Sequence, residues 1–265
     1  MNEVRCAVLD DYQQAAHRMA EWSRLGPDVE VTFFRDPLGS IDAAADALAA
    51  FDVVVLMRER TAFPRELIER LPTLKLIVTT GHRNGALDIA AARKQGICVC
   101  GTGTLEPPTV ELAWGLILSF ARRLPEEVAN LRAGGRWQQS LGIDLAGKQL
   151  GVLGLGRLGT RVARVARAFD MNVVAWSANL DDARCEAAGV QRAATLDALL
   201  AGSDIVTIHM VLSARTRGLI GTRELGLMKP GAFLVNTSRA PIVDEAALLA
   251  ALERRQIAGA ALDVY

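Results

Sequence analysis

The chain has 265 residues, 51% of them hydrophobic, and thirty Lys and Arg balance thirty Asp and Glu for a formal net charge of zero. That is enough apolar material for a sizeable core, and the length suits two ordinary domains. With no block of like charge there is nothing to track a phosphate backbone or an anionic bilayer surface, so neither nucleic acid nor membrane is expected as a partner.

The opening stretch "MNEVRCAVLDDYQ" has no basic region followed by an apolar signal core, and no later apolar run is long enough to span a bilayer, so a cytoplasmic location is expected. Short β-branched runs then alternate with alanine-rich stretches, the pattern of repeated βα units and parallel sheets. Strands are predicted at 4–10, 29–34, 53–57, 74–80 and 97–101, with helices near 12–23, 41–50, 64–70 and 87–95. In the last of these strands Cys98 and Cys100 stand two apart and can share one face; they are expected as buried small apolar residues. With Cys6 and Cys185 they form no CxxC pair and are too few for a disulfide framework, and no metal is assigned.

The segment "GTGTLEPPTVELAWGLILSFARRL" opens with glycines and a Pro-Pro pair that suit a helix start, and predicts one long apolar helix over 108–124, ended by "RAGGRW". So apolar a helix needs cover on most sides, from the rest of the chain or from a second subunit, and a homodimer is expected. A second βα series follows, with strands at 148–153, 171–177, 204–210, 231–238 and 257–265; the chain stops inside the last of them, with no closing helix.

Gly154, Gly156 and Gly159 form G-x-G-x-x-G between the apolar strand "LGVLG" and the helix "RLGTRVARVARAFD". The triple alone is weak, but in this strand-to-helix context it points to a dinucleotide: the glycines allow a tight turn, close approach of the pyrophosphate and close packing of helix on strand. The pyrophosphate would meet the free N–H groups of the helix N-terminus. An acidic residue is expected at the end of the next strand to take the ribose hydroxyls, about 20 residues on, yet Ser177 stands there. No arginine occupies 178–180 either, so NAD and NADP both remain open. Further along, His209, Arg239 and Asp263 each fall at or just past a strand end, where open α/β sheets bind ligands, and the planar guanidinium of Arg239 is well matched to a carboxylate.

The segments "GKQLGVLGLGRLG", "TIHMVLSARTRGLI", "LMKPGAFLVNTSRAPIVDEAALLAAL" and "IAGAALDVY", in this order and spacing, resemble the coenzyme-binding domain of the D-isomer-specific 2-hydroxyacid dehydrogenases, and "LPTLKLIVTTGHRNGALDIAAARKQGICVCGTG" resembles the substrate-binding domain of that family. The resemblance covers nearly the whole chain. It implies an α/β protein of two Rossmann-like, doubly wound parallel-sheet domains: a flavodoxin-like substrate domain at 1–101 and a dinucleotide-binding domain at 102–265, incomplete at its C-terminal end.

It also implies roles. Arg239 would bind and polarise the carbonyl and carboxylate of a small 2-keto acid while hydride arrives from NADH or NADPH. Arg58 and the loop carrying Gly81, His82 and Arg83 would hold the substrate carboxylate. The cofactor set would be Thr109, Gly154, Gly156, Gly159, Arg157 and Leu158 through their N–H groups, Ser177 at the ribose, His209, and Thr237 with Asp263 at the nicotinamide carboxamide.

Three departures from the family pattern stand out. Ala240 follows the arginine where glycine is usual, a cost on the order of 1 kcal/mol if that position has positive φ. Ser177 replaces an acid. The glutamate and histidine that shuttle the substrate proton are expected beyond Tyr265, and loss of that pair would remove most activity. His82 and His209 are read as structural or binding residues rather than replacements, and His17 as a surface residue. The expected function is therefore an NAD(P)-dependent 2-hydroxyacid dehydrogenase; the alternatives are a cofactor-binding protein without turnover and, on family analogy alone, a corepressor-like scaffold.

Overall fold

The computed structural model describes residues 3–265. The chain divides into two compact units, the first ending at Leu105 and the second running Glu106–Tyr265.

Five strands form the first unit's sheet: β1 (Val4–Val8), β2 (Val29–Phe33), β3 (Val53–Leu56), β4 (Leu76–Thr79) and β5 (Cys98–Gly101). All pair in parallel, in the order β2-β1-β3-β4-β5, which is flavodoxin-like double winding. The central strands β3 and β4 alternate half-buried and buried residues. Leu56 and Ile77 there pack with Leu48, Phe63, Leu67 and Ile68 from the flanking segments. Two helices carry side-chain N-caps, Ser40 accepting from the Ala43 amide at 3.2 Å and Asp88 from Ala91 at 2.8 Å. Each cap contributes about 1 kcal/mol.

The helix expected over 12–23 is only Ala16–Met19, followed by a 3₁₀ turn at Trp22–Leu25. The carboxylate of buried Asp11 takes the amides of Ala15 and Ala16, and Ala20 is already extended, so local side-chain bonding displaces most of the helix.

In the second unit the long apolar helix is two helices, Pro107–Ala121 and Leu124–Arg132. The break is not at "RAGGRW" but at Arg123, which has φ +52°. Pro125 accounts for it: it lacks the amide that would continue the ladder to Ala121 O, an acceptor taken instead by the Ile143 amide at 2.8 Å, and it suits the first turn of a new helix.

The second sheet contains β6 (Gln149–Leu153), β7 (Asn172–Trp176), β8 (Gln191–Arg192), β9 (Ile205–Ile208), β10 (Phe233–Asn236) and β11 (Gly259–Leu262). They pair in parallel in the order β11-β10-β9-β6-β7-β8, the Rossmann arrangement, with the winding reversed between β6 and β9. The two-residue, exposed β8 has no apolar signature and was not expected from the sequence.

Alternation along β10 sends side chains to opposite faces. Phe233 and Val235 join the core beneath the helices Pro107–Ala121 and Arg157–Ala168, while Leu234 joins the core under Leu196–Gly202 and Glu245–Glu253. Both faces are thus covered, as a parallel sheet requires. Phe233 is fully buried and stacks on Phe120 at 4.1 Å between ring centres. Truncating such a residue to alanine costs about 3–5 kcal/mol.

Candidate functional site

At the carboxyl edge of the second sheet, hydrogen bonds tie the strand ends together in sequence. The Gly154 amide donates to Trp176 O at 2.9 Å, and the His209 amide to Leu153 O at 2.8 Å. Ser238 Oγ donates to Ile208 O at 2.7 Å, and the Asp263 amide to Asn236 O at 3.0 Å. Five strand ends are therefore held in one row beside the point where the winding reverses. This is the crevice in which open α/β sheets bind ligands.

The glycine motif sits at its middle. Gly154 has φ +97°, left-handed backbone that a side chain resists. A Cβ on Gly159 would drive into the Gly154 carbonyl, so the helix Arg157–Ala168 packs against its own loop only because that position is bare. Gly156 differs: a Cβ there meets nothing within 4 Å, which leaves open space over the loop. Gly156 also precedes the helix with no side-chain cap, so the first-turn amides, those of Arg157 and Leu158 among them, face outward without intrahelical acceptors. Their partial positive charge suits an anion.

Arg157 offers this site its main chain and not its guanidinium, which pairs with Glu106 at 3.1 Å beside Arg161 at 2.9 Å. Leu158 is half-buried against the core. Thr109 lies half-buried in the first turn of Pro107–Ala121, and Ser177 half-buried just after β7.

Two buried polar atoms at this edge have no hydrogen-bond partner among the described residues: Thr237 Oγ1 and His209 Nδ1. The other ring nitrogen of His209 meets Thr207 Oγ1 at 2.9 Å. Burial lowers the His209 pKa to about 4, because the enclosed ring cannot be solvated as a cation. The imidazole is thus neutral at neutral pH. Orphaned Thr237 Oγ1, the bare space over Gly156 and the uncapped helix together fit a dinucleotide cofactor.

Arg239, half-buried after β10, is already engaged: its Nη1 donates to Ser238 O at 2.8 Å. The turn that carries it is clamped by Asn236, 1% exposed, which accepts the Ser238 amide and donates to Arg239 O, each at 3.0 Å. Sequence reasoning missed Asn236 and Ser238. The signal was present, since an Asn ending an apolar strand, two residues before a Ser, is an Asx-turn pattern. Ala240 opens the 3₁₀ turn Ala240–Ile242 and is not among the positive-φ residues, so the strain feared there does not arise. Asp263 is exposed.

In the first unit, Arg58 has φ +57°, a conformation that side chains reach at a cost. It is held by its amide to Thr80 Oγ1 at 3.0 Å and by its carbonyl from Asn84 Nδ2 at 2.7 Å, making Asn84 a second missed positioning residue. The Gly81 amide, with φ +112° at that residue, is taken by Thr102 Oγ1 at 2.9 Å, and the Thr80 amide by Leu56 O. Exposed His82 and Arg83 are the members of this loop that present themselves outward.

His82 and Arg83 line a groove of about 360 Å³ with Leu87, Arg93, Cys98 and Cys100. Both cysteines are exposed, contrary to the expectation of burial, with their sulfurs 3.8 Å apart. The reason is position: β5 is the sheet's edge strand, and three of its four residues, both cysteines among them, stay exposed. Among the described residues no group of three or more His, Cys, Asp or Glu is placed to hold a metal ion, and no helix is long and apolar enough to cross a membrane.

Residues 114–265 match the family model described as D-isomer specific 2-hydroxyacid dehydrogenase, NAD binding domain. The chain is 37% identical over 215 residues to a D-3-phosphoglycerate dehydrogenase of Methanocaldococcus jannaschii, covering 80% of this chain and 41% of that one. It is 40% identical over 209 residues to a glyoxylate reductase of Aeropyrum pernix, covering 76% and 62%. It thus spans less than two thirds of the length of these curated relatives, 41% of the first and 62% of the second. A phosphoglycerate oxidoreductase from Vibrio cholerae, solved by crystallography, superposes with a TM-score of 0.93 at 34% identity, covering 99% of this chain and 84% of that one.

Proposed function

This chain belongs to the D-isomer-specific 2-hydroxyacid dehydrogenase family, and on that footing we propose that it interconverts a small 2-keto acid and the corresponding 2-hydroxy acid with NAD or NADP as cofactor. The observation that carries the reading is the row of hydrogen-bonded strand ends, which brings the glycine loop, His209, Thr237, Arg239 and Asp263 to one edge of the second sheet.

The nicotinamide cofactor, when bound, supplies or accepts the hydride. The chain's own groups hold and polarise. The amides of Arg157 and Leu158 receive the pyrophosphate, with Gly154, Gly156 and Gly159 giving it room; Ser177 and Thr109 border the cofactor; Thr237, His209 and Asp263 serve the nicotinamide end. Arg239 pairs with the substrate carboxylate and carbonyl and stabilises negative charge on the oxygen as the carbon is reduced. Arg58 and the Gly81, His82 and Arg83 loop serve the substrate carboxylate. Reduction consumes one 2-keto acid, one hydride and one proton per 2-hydroxy acid formed.

A homodimer belongs to the same proposal. In Leu124–Arg132, Leu124, Val128 and Leu131 recur at helical spacing and are 46–49% exposed, and Trp137 and Leu141 nearby are 75% and 92% exposed. That is the composition of a surface meant to be covered. The proposed setting is the cytoplasm.

One observation favours a second reading, cofactor binding without turnover. His209, the one histidine of the second unit, is buried and held neutral with a pKa near 4, so that unit offers no imidazolium to act as a general acid at neutral pH.

A panel of 2-keto acids, including glyoxylate, hydroxypyruvate and larger analogues, mixed with NADH or NADPH under single-turnover conditions separates the two. Oxidation of the bound cofactor supports the dehydrogenase. Bound cofactor left unoxidised across the panel establishes the second reading instead.

A further inference from the structure

We infer that Arg184 sets the cofactor preference of this chain by binding the 2′-phosphate of NADP(H); the inference rests on the cofactor reading above and sharpens it.

Choice between the two dinucleotides turns on the groups around the adenosine ribose. A carboxylate at the end of the second strand of the fold takes the ribose hydroxyls and repels a 2′-phosphate. Here that position is Ser177, a neutral hydroxyl that does not repel. The sequence shows no cation at 178–180 to compensate, but the fold brings one from further on. Arg184, in the helix Asp182–Ala188, folds back so that its Nη2 donates to the carbonyl of Leu155 at 3.1 Å. Leu155 lies between Gly154 and Gly156, and the Gly154 amide is bonded to Trp176 O, next to Ser177. The guanidinium therefore rests against the glycine loop beside the end of β7.

The local charge inventory leaves this cation available. Asp181 spends one carboxylate oxygen on the Arg184 amide at 2.8 Å, and Asp182 is paired with Arg192 at 3.1 Å. The Arg184 side chain makes no ion pair among the described residues, and the residue is exposed. One N–H goes to Leu155, which fixes the side chain without consuming its remaining donors. A planar guanidinium already anchored at the loop presents parallel donors to a phosphate at reduced entropic cost.

The test is binding rather than turnover. Dissociation constants for NADPH and NADH are read from tryptophan fluorescence at low ionic strength, with 2′,5′-ADP against 5′-AMP as the probe of the phosphate alone. We expect the 2′-phosphorylated member of each pair to bind on the order of tenfold tighter, equivalent to about 1.4 kcal/mol. Arg184→Ala should remove that advantage and leave NADH unchanged, Arg184→Lys should keep part of it, and added salt should shrink it. Ser177→Asp should turn the preference toward NADH. A wild-type protein that binds NADH as tightly as NADPH overturns the inference. So does an Arg184→Ala variant that weakens both cofactors equally, which would make Arg184 a prop for the loop. If neither dinucleotide binds at millimolar concentration, the cofactor reading itself fails, a distinct result.

Discussion

A side chain at Gly154 would begin 2.6 Å from the carbonyl oxygen of His209. The start of the glycine motif and the end of β9 are thus in backbone contact, and the φ of +97° at Gly154 adds conformational strain for any other residue. Gly154→Ala should destabilise the second unit by at least about 1–2 kcal/mol, since the left-handed penalty is joined by the collision. Gly156→Ala meets open space and should shift stability by less than about 0.5 kcal/mol while weakening dinucleotide binding. Urea unfolding beside cofactor titration separates the two. Equal stability losses would mean that the open space over Gly156 is not what keeps that position bare.

His209 predicts a pH dependence. Its folded pKa is about 4 against an ordinary 6.5, lowered by burial. The unfolded chain therefore binds the proton more readily, and the stability from keeping this ring neutral is fully present above about pH 6.5 and is lost as the pH falls toward 4. The full span is on the order of 3 kcal/mol. Unfolding midpoints of wild type and His209→Gln across this window should converge as the pH drops. Curves that stay parallel would show that the ring does not titrate with folding.

Ala240 should be an easy position. Because its φ is not positive, Ala240→Gly gains no relief from strain and adds only unfolded-state freedom, costing about 0.5–1 kcal/mol. A clear rise in melting temperature would count against the described turn.

The thiols should fall into two classes. Cys98 and Cys100 are exposed and Cys6 and Cys185 are buried. An aromatic disulfide reagent should titrate two thiols in the native protein and the remaining two only on unfolding. The neighbouring Cys98 thiol raises the Cys100 pKa by hydrogen bonding, so its reaction should be slower than that of an isolated exposed cysteine at the same pH.

The βα alternation and the glycine motif were legible because β-branched runs, alanine-rich segments and strand-to-helix glycines are local signals. The double winding of both sheets was implied by the family resemblance, while β8, two exposed residues, carried no local signal. What stayed hidden depends on tertiary placement. Nothing local distinguishes Cys98 and Cys100 on an edge strand from the same residues in a sheet centre. The sequence interval 178–180 holds no cation, yet Arg184 reaches the glycine loop because a short helix turns it back. The helix expected over 12–23 failed for a local reason that was visible, an aspartate positioned to take the first amides. The break at Arg123 was likewise written in the proline two residues later.

The central place of β6 governs how the second unit comes together during synthesis. Its neighbours are β7 on one side and β9 on the other, and the Gln149 amide finds its acceptor, Asp204 Oδ2 at 2.8 Å, 55 residues further along. At a ribosomal rate of roughly 5–20 residues per second, β6 waits on the order of 3–10 s with one edge bare after it emerges. Until β9 arrives, the glycine loop has no His209 carbonyl to lean on, so the nucleotide crevice forms late and as a unit with the sheet that bears it.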